Sequence, residues 1–278
     1  IDDGIASIPI EQRDGREITH ISGLDESGQP LLEKVQAAAQ KASQQLLLSA
    51  ENFYDLSPEN IANVARYLGN DTKVICYLRD PVEHIVSYWQ QVLKGKEVSI
   101  PFEKFVQSET KKLSAAQSYY AYDQRIDYWT EHFEDIRVVP YSKMSPEAFL
   151  QGFIEAVEWP IELLDQMTVP PMMNVSLSPA CIAVMFLVNC LLRDGKISAK
   201  RHKQIVKIVF ARPGAIDAKS HLISEHKVNM RAFVDAFAKA GPRSAALFPD
   251  MMDFATTYTV AETHIPEIMG IFGIAPET

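Results

Sequence analysis

The chain has 278 residues, with 27 Lys and Arg against 36 Asp and Glu, for a net charge of −9. A hydrophobic content of 47% and a charged content of 23% are those of a globular protein able to bury a large core. The acidic balance argues against general nucleic-acid binding, and no apolar run reaches the length of a membrane span.

Taken in chain order, residues 31–45 carry a helical period, and Leu46-Leu47-Leu48-Ser49 reads as a short apolar strand. Ser57-Pro58-Glu59 opens a helix that runs to about Leu68, and Gly69-Asn70-Asp71 turns the chain into a strand over 73–78. A helix follows to about Leu93 and ends at Gly95. Two more helices are expected from Pro101 to Lys111 and from Gln117 to Phe133. Ile136 to Tyr141 reads as a strand, and Ser145-Pro146-Glu147 starts the next helix. From Pro179 onward the pattern is almost entirely helical, with helices expected over 179–193, 198–211, 222–240 and 259–270. Short apolar strands alternating with helices imply a parallel sheet covered on both faces. Pro170-Pro171 marks the expected boundary between an α/β core of residues 1–170 and a helical region, 171–278, packed on it.

The most informative segment is the strand Val74-Ile75-Cys76-Tyr77-Leu78 followed by Arg79-Asp80-Pro81. Asp80 is a good N-cap, Pro81 suits the first helical position, and Glu83 completes an acidic capping box. Val82, Ile85, Val86, Trp89, Val92 and Leu93 form one apolar stripe at helical spacing, and Ser87 lies off it, in line with His84 and Gln91. A guanidinium at a strand's carboxyl end and a hydroxyl two turns into the helix can meet one phosphate. The plainer reading pairs Arg79 with a nearby carboxylate and leaves Ser87 as a solvated helix residue.

Leu-Arg-Asp-Pro, with Ser87 eight positions after Arg79, resembles the 3'-phosphate-binding motif of sulfotransferases that use 3'-phosphoadenosine-5'-phosphosulfate (PAPS). Further stretches agree in order with bacterial and carbohydrate-type members: Leu46 to Glu51, Tyr122-Asp123 through Trp129 and Phe133, Ile136 to Tyr141, and Asn174-Val175-Ser176-Leu177-Ser178-Pro179. The resemblance covers roughly residues 30–190. It implies a P-loop-kinase-like parallel sheet flanked by helices, PAPS as the nucleotide cofactor, no metal, and a glycan or small-molecule acceptor. Arg79 and Ser87 are then the cofactor residues, with Ser49 a further candidate. Glu51 is the candidate base because it follows a strand expected to end at the active-site edge; His84 and His20 are alternatives. Tyr119, Tyr120 and Tyr122 form an aromatic cluster that fits an acceptor or an adenine pocket, with Tyr119 and Tyr122 the candidates for the acceptor. Such a cluster also serves as ordinary packing.

One part of the family pattern is not found. The Lys-Thr-Gly-Thr-Thr type of phosphate loop, which grips the phosphosulfate with backbone N–H groups and a lysine, has no counterpart. Its nearest approximation, Gly23-Leu24-Asp25-Glu26-Ser27-Gly28-Gln29-Pro30, lacks the Lys and carries two acids. The chain starts at Ile1, and the simplest expectation is that the loop lies upstream. Two other readings stay open: a sulfotransferase-like binding or scaffold module without catalysis, and a kinase-like phosphoryl-transfer protein.

The remaining features are compositional. Three cysteines, Cys76, Cys181 and Cys190, sit in apolar contexts without metal spacing, which points to free thiols rather than a disulfide framework or zinc site. No secretory signal is visible, and a cytoplasmic location is expected. Residues 193–231 hold ten Lys and Arg against three acids, so the rest of the chain is strongly acidic. Lys200, Lys203 and Lys207 share one face of the expected helix over 198–211, either a solvated face or one that attracts an anionic cofactor or glycan.

Overall fold

The computed structural model describes residues 8–9, 19–21, 47–48, 51–69, 71–95, 99–115, 117–141, 145–166 and 177–273. Near the start, β1 (Ile8–Pro9) pairs antiparallel with β2 (Thr19–Ile21), and β2 pairs parallel with β3 (Leu47–Leu48). A 3-10 turn, Glu51–Asp55, leads to α1 (Pro58–Leu68), β4 (Val74–Arg79), α2 (Pro81–Gly95) and α3 (Phe102–Ser114). Then come α4 (Tyr122–Thr130), β5 (Ile136–Tyr141), α5 (Pro146–Val157), α6 (Pro179–Arg193) and α7 (Ala199–Ala211). The last elements are β6 (Ile223–Asn229), α8 (Arg231–Ala240), β7 (Phe254–Val260) and α9 (Ile265–Ile271). The protein is thus α/β in character, mostly helical, and its described strands form sheets of two or three strands. The helix expected over 31–45 and the boundary at Pro170-Pro171 lie outside the described residues.

The chain divides into two compact units. The first comprises Ile1–Leu78 and Tyr122–Val139, the second Arg79–Ala121 and Pro140–Thr278. In the first, the Ser57 hydroxyl caps α1 by accepting from the Asn60 N–H at 3.2 Å. The helix ends at Gly69 with φ +88°, and a Cβ there would come within 2.8 Å of the Asp71 carboxylate. That position therefore requires glycine. Ile61, Val64, Ala65 and Phe133 form the unit's buried cluster, with Val74 and Ile136 at the starts of β4 and β5 packed against it.

In the second unit, α6 is buried on nearly every side. Ala180 to Met185, Leu187 to Asn189 and Leu191 are all buried, as expected of a helix that is apolar all round. Its start is fixed by Ser178, whose hydroxyl accepts from the Cys181 N–H at 3.2 Å and donates to the Asp217 carboxylate. Asn189 is the polar exception in this core, at 0% exposure. Its amide donates to the Leu93 carbonyl of α2 at 3.1 Å and accepts from His202 of α7 at 2.7 Å. Because an amide oxygen only accepts, His202 carries its proton on Nε2. One polar chain thus joins three helices.

Two expectations need correction. The helix expected from Gln117 to Phe133 begins only at Tyr122. Ser118 breaks it: its hydroxyl accepts from the Tyr120 N–H at 3.1 Å, and its carbonyl accepts from the Ala121 N–H at 3.2 Å, closing a turn. The region after Pro179 is not almost entirely helical either. Where helices were expected over 222–240 and 259–270, β6 and β7 form an antiparallel ladder from Ile223↔Val260 to Asn229↔Phe254, leaving α8 and α9 shorter. Phe-Ala-Thr-Thr-Tyr-Thr-Val is rich in β-branched and aromatic residues, which favour a pleated, half-buried surface.

Replacing Asn189 with Leu keeps the branching and the number of side-chain heavy atoms but orphans the Leu93 carbonyl and His202 Nε2. The urea midpoint should fall, at unchanged m value, by the equivalent of about 2–4 kcal/mol.

Candidate anion site at the end of strand β4

The site begins with a carboxylate. Asp80 Oδ1 accepts from the Val82 N–H at 2.8 Å and the Glu83 N–H at 3.0 Å, and the Asp80 carbonyl accepts from the His84 N–H at 2.8 Å. These three bonds close the first turn of α2 immediately after the strand. The apolar stripe then buries the helix: Val82, Ile85, Trp89 and Leu93 are each exposed by 2% or less. Trp89 adds a bond from its indole N–H to the Ile100 carbonyl at 3.0 Å, and its ring lies 5.3 Å from Phe102 and 6.0 Å from Phe186.

With α2 fixed, Glu83 and His84 lie beside Arg79, and Ser87 follows His84 at helical spacing. Arg79 Nη2 donates to Glu83 Oε2 at 3.4 Å, and both side chains are 29% exposed. The pairing of Arg79 with a carboxylate foreseen from the sequence is therefore present, and its partner is the residue of the capping box. At that length and exposure it orients the guanidinium more than it neutralises it. Ser87 is half-buried two turns into the helix.

His84 is enclosed by aromatic rings. Tyr119 meets it edge-on with centroids 5.2 Å apart, and Tyr120 does so at 5.3 Å. Burial, and then the charge of Arg79, push its pKa down to about 4. At neutral pH the ring is uncharged, so the positive charge of this cluster is that of Arg79. A base with so low a pKa has little driving force for taking a proton near pH 7.

The three tyrosines part company. Tyr120 is fully buried, edge-on to Phe233 at 5.4 Å. Tyr122 belongs to the first unit, where it is 1% exposed and packs edge-on against Tyr54 at 6.1 Å. Tyr119 is half-buried beside His84 and lies parallel to Tyr88, with centroids 6.3 Å apart and planes 6° from parallel. Sequence reasoning missed Tyr88, which is 41% exposed and also neighbours Phe105 at 6.0 Å. Its place one turn after His84 and next to Ser87 was the available signal. Tyr119 thus borders His84, and Tyr88 extends that aromatic surface.

Of the remaining candidates, Glu51 opens the 3-10 turn of the first unit, and its side chain lies outside the described residues. Ser49 and the segment from Asn174 to Ser176 also lie outside them. His20 sits in β2, opposite Leu47. The three cysteines are free thiols: burial raises the pKa of Cys76 to about 11 and also raises those of Cys181 and Cys190. Among the described residues no group of three or more His, Cys, Asp or Glu is arranged to hold a metal, and no helix is long and apolar enough to cross a membrane.

What the cluster can do chemically is bind an anion. It offers an oriented guanidinium, a hydroxyl, an uncharged imidazole and a border of aromatic rings. No protein-family model matches the chain, and neither a curated protein nor a solved structure matches it.

His84 makes stability depend on pH. Its folded pKa lies below the ordinary value of 6.5, so between about pH 6.5 and pH 4 the unfolded chain binds the proton first. Stability fully present above pH 6.5 should be lost as pH falls to 4, by up to about 3 kcal/mol. NMR should find His84 titrating near pH 4, and His84→Gln should flatten this part of the stability profile.

Proposed function

We propose that this chain is a PAPS-dependent sulfotransferase acting on a hydroxyl of an acceptor, a carbohydrate by the branch it resembles, and that Arg79 and Ser87 hold the 3'-phosphate of the nucleotide. The observation that carries the reading is a single one. A strand ends on a partly exposed arginine, an Asp80-capped helix starts at once, and that helix carries Ser87 two turns along. A guanidinium and a hydroxyl are the donor types a phosphate dianion requires, and the carboxyl end of a strand is where open α/β sheets bind nucleotides. The reading carries with it a P-loop-kinase-like parallel sheet.

Bound PAPS would supply an activated sulfuryl group, which would pass to the acceptor oxygen as its bond to the 5'-phosphate breaks, releasing 3'-phosphoadenosine-5'-phosphate, and as the acceptor oxygen loses a proton to a base. The residues here position and shield. Arg79 provides the charge, held in orientation by Glu83. The uncharged His84 lies beside it, and Tyr119 and Tyr88 extend from His84, so that a ligand ring can lie against aromatic surface. Glu51 is proposed as the base, with His84 the alternative that its low pKa disfavours.

A binding module without transfer is the second reading. It is favoured by the segment Gly23 to Pro30, which has Gln29 and Pro30 where a phosphate loop has Lys and Ser or Thr, and which carries Asp25 and Glu26, whose charges repel phosphate.

Calorimetric titration with 3'-phosphoadenosine-5'-phosphate tests the site. Arg79→Ala should weaken binding by about 1.5–3 kcal/mol and Ser87→Ala by about 0.5–1.5 kcal/mol. No binding, or binding untouched by Arg79→Ala, would remove the assignment. Binding without transfer of labelled sulfate to any glycan acceptor would favour the second reading.

A further inference from the structure

A cavity opens where α7 meets the end of α9. It has a volume of about 340 Å3 and is lined by Arg201, Gln204 and Lys207 and by Ile205, Ile208 and Phe272. That volume is at the lower end of the range for small-molecule sites. Ile205 belongs to the buried core of the second unit and Phe272 packs against that core, so the apolar part of the lining is anchored.

Several cations of the same unit stand beside carboxylates: Lys112 with Glu109 at 2.6 Å, Lys219 with Glu267 at 2.6 Å, Arg193 with Asp194 at 2.8 Å and Arg231 with Asp235 at 3.3 Å. Among the described residues, neither Arg201 nor Lys207 has such a partner, and Arg201 Nε is shielded from solvent without a hydrogen-bond acceptor. Two cations and an amide therefore share one concavity with no acid among its described lining residues, in a chain whose net charge is −9. Lys200 and Lys203 stand exposed on the same helix and extend the positive field beyond the cavity.

We infer that this cavity binds a small amphiphilic anion, its acidic head between Arg201 and Lys207 and its apolar body against Ile205, Ile208 and Phe272. An inorganic anion would leave the apolar lining unused, and a neutral apolar molecule would leave two cations uncompensated. The chemistry of the lining selects a molecule with both parts. The inference does not rest on the function proposed above, because none of its residues belongs to the Arg79 cluster.

Calorimetric titration of the full chain with 1-naphthalenesulfonate tests it, with 1-naphthol as the neutral body and inorganic sulfate as the bare head. Saturable one-to-one binding is expected, with each comparator at least about tenfold weaker. Arg201→Gln and Lys207→Gln should each weaken the sulfonate about tenfold or more, whereas Lys111→Gln, on α3 outside the cavity, should leave it unchanged. No saturable binding, binding indifferent to both cavity substitutions, or a comparator that binds as well as the sulfonate would overturn the inference. Displacement of the probe by 3'-phosphoadenosine-5'-phosphate would also overturn it, as a site separate from the nucleotide's.

Discussion

The carboxylate of Asp80 is the constraint on which the candidate site depends. It accepts from two backbone N–H groups that would otherwise be orphaned at the start of α2. An N-cap contributes only about 1 kcal/mol to stability, but its geometric effect is larger than its energy. It makes the chain change from strand to helix between Arg79 and Pro81, with no intervening loop. Glu83 then arrives one turn later, within reach of Arg79, and His84 takes its place against the rings of Tyr119 and Tyr120. A longer or looser connection would leave the guanidinium on a mobile segment, where each ligand contact would also have to order the backbone.

Electrostatics sharpen that geometry. Burial and the neighbouring guanidinium both disfavour the imidazolium of His84. Arg79 is therefore the one positive group of the cluster, beside the carboxylates of Glu83 and Asp80. Glu83 is close enough to steer that charge, but the partial exposure of both side chains keeps the pair from being a strong one. An anion with more than one negative charge would have a clear electrostatic advantage over Glu83 in such a setting.

How much of this was legible in the sequence follows the range of the interactions. The caps at Ser57, Asp80 and Ser145 are written in two or three consecutive residues, and each opens a helix where the sequence reading places it. The stripe of α2 was legible for the same reason, since helical period is a local property. The ladder of β6 and β7 was not. Its partners are separated by the whole of α8, and the apolar residues of its first strand, Ile223 and Val228, are five apart, a spacing that marks neither a helix face nor a strand face, so only the pairing itself decides. The stacking of Tyr88 on Tyr119 is likewise a meeting of two segments that no spacing rule links. Ser118 was a different kind of miss. Its hydroxyl competes with the helix for backbone donors, a signal that was present and outweighed by the aromatic residues after it.

The polar chain through Asn189 matters for what happens far from the core. The last turn of α2 surrenders a carbonyl, that of Leu93, to the Asn189 amide, while its first turn is tied down by Asp80. The helix bearing Glu83, His84 and Ser87 is thus moored at both ends to residues that do not belong to it or lie at its very edge. A scaffold held in this way has already surrendered most of its conformational entropy during folding. Whatever anion arrives at Arg79 meets a preorganised surface, and its interaction energy is available for affinity and selectivity rather than for arranging the protein around it.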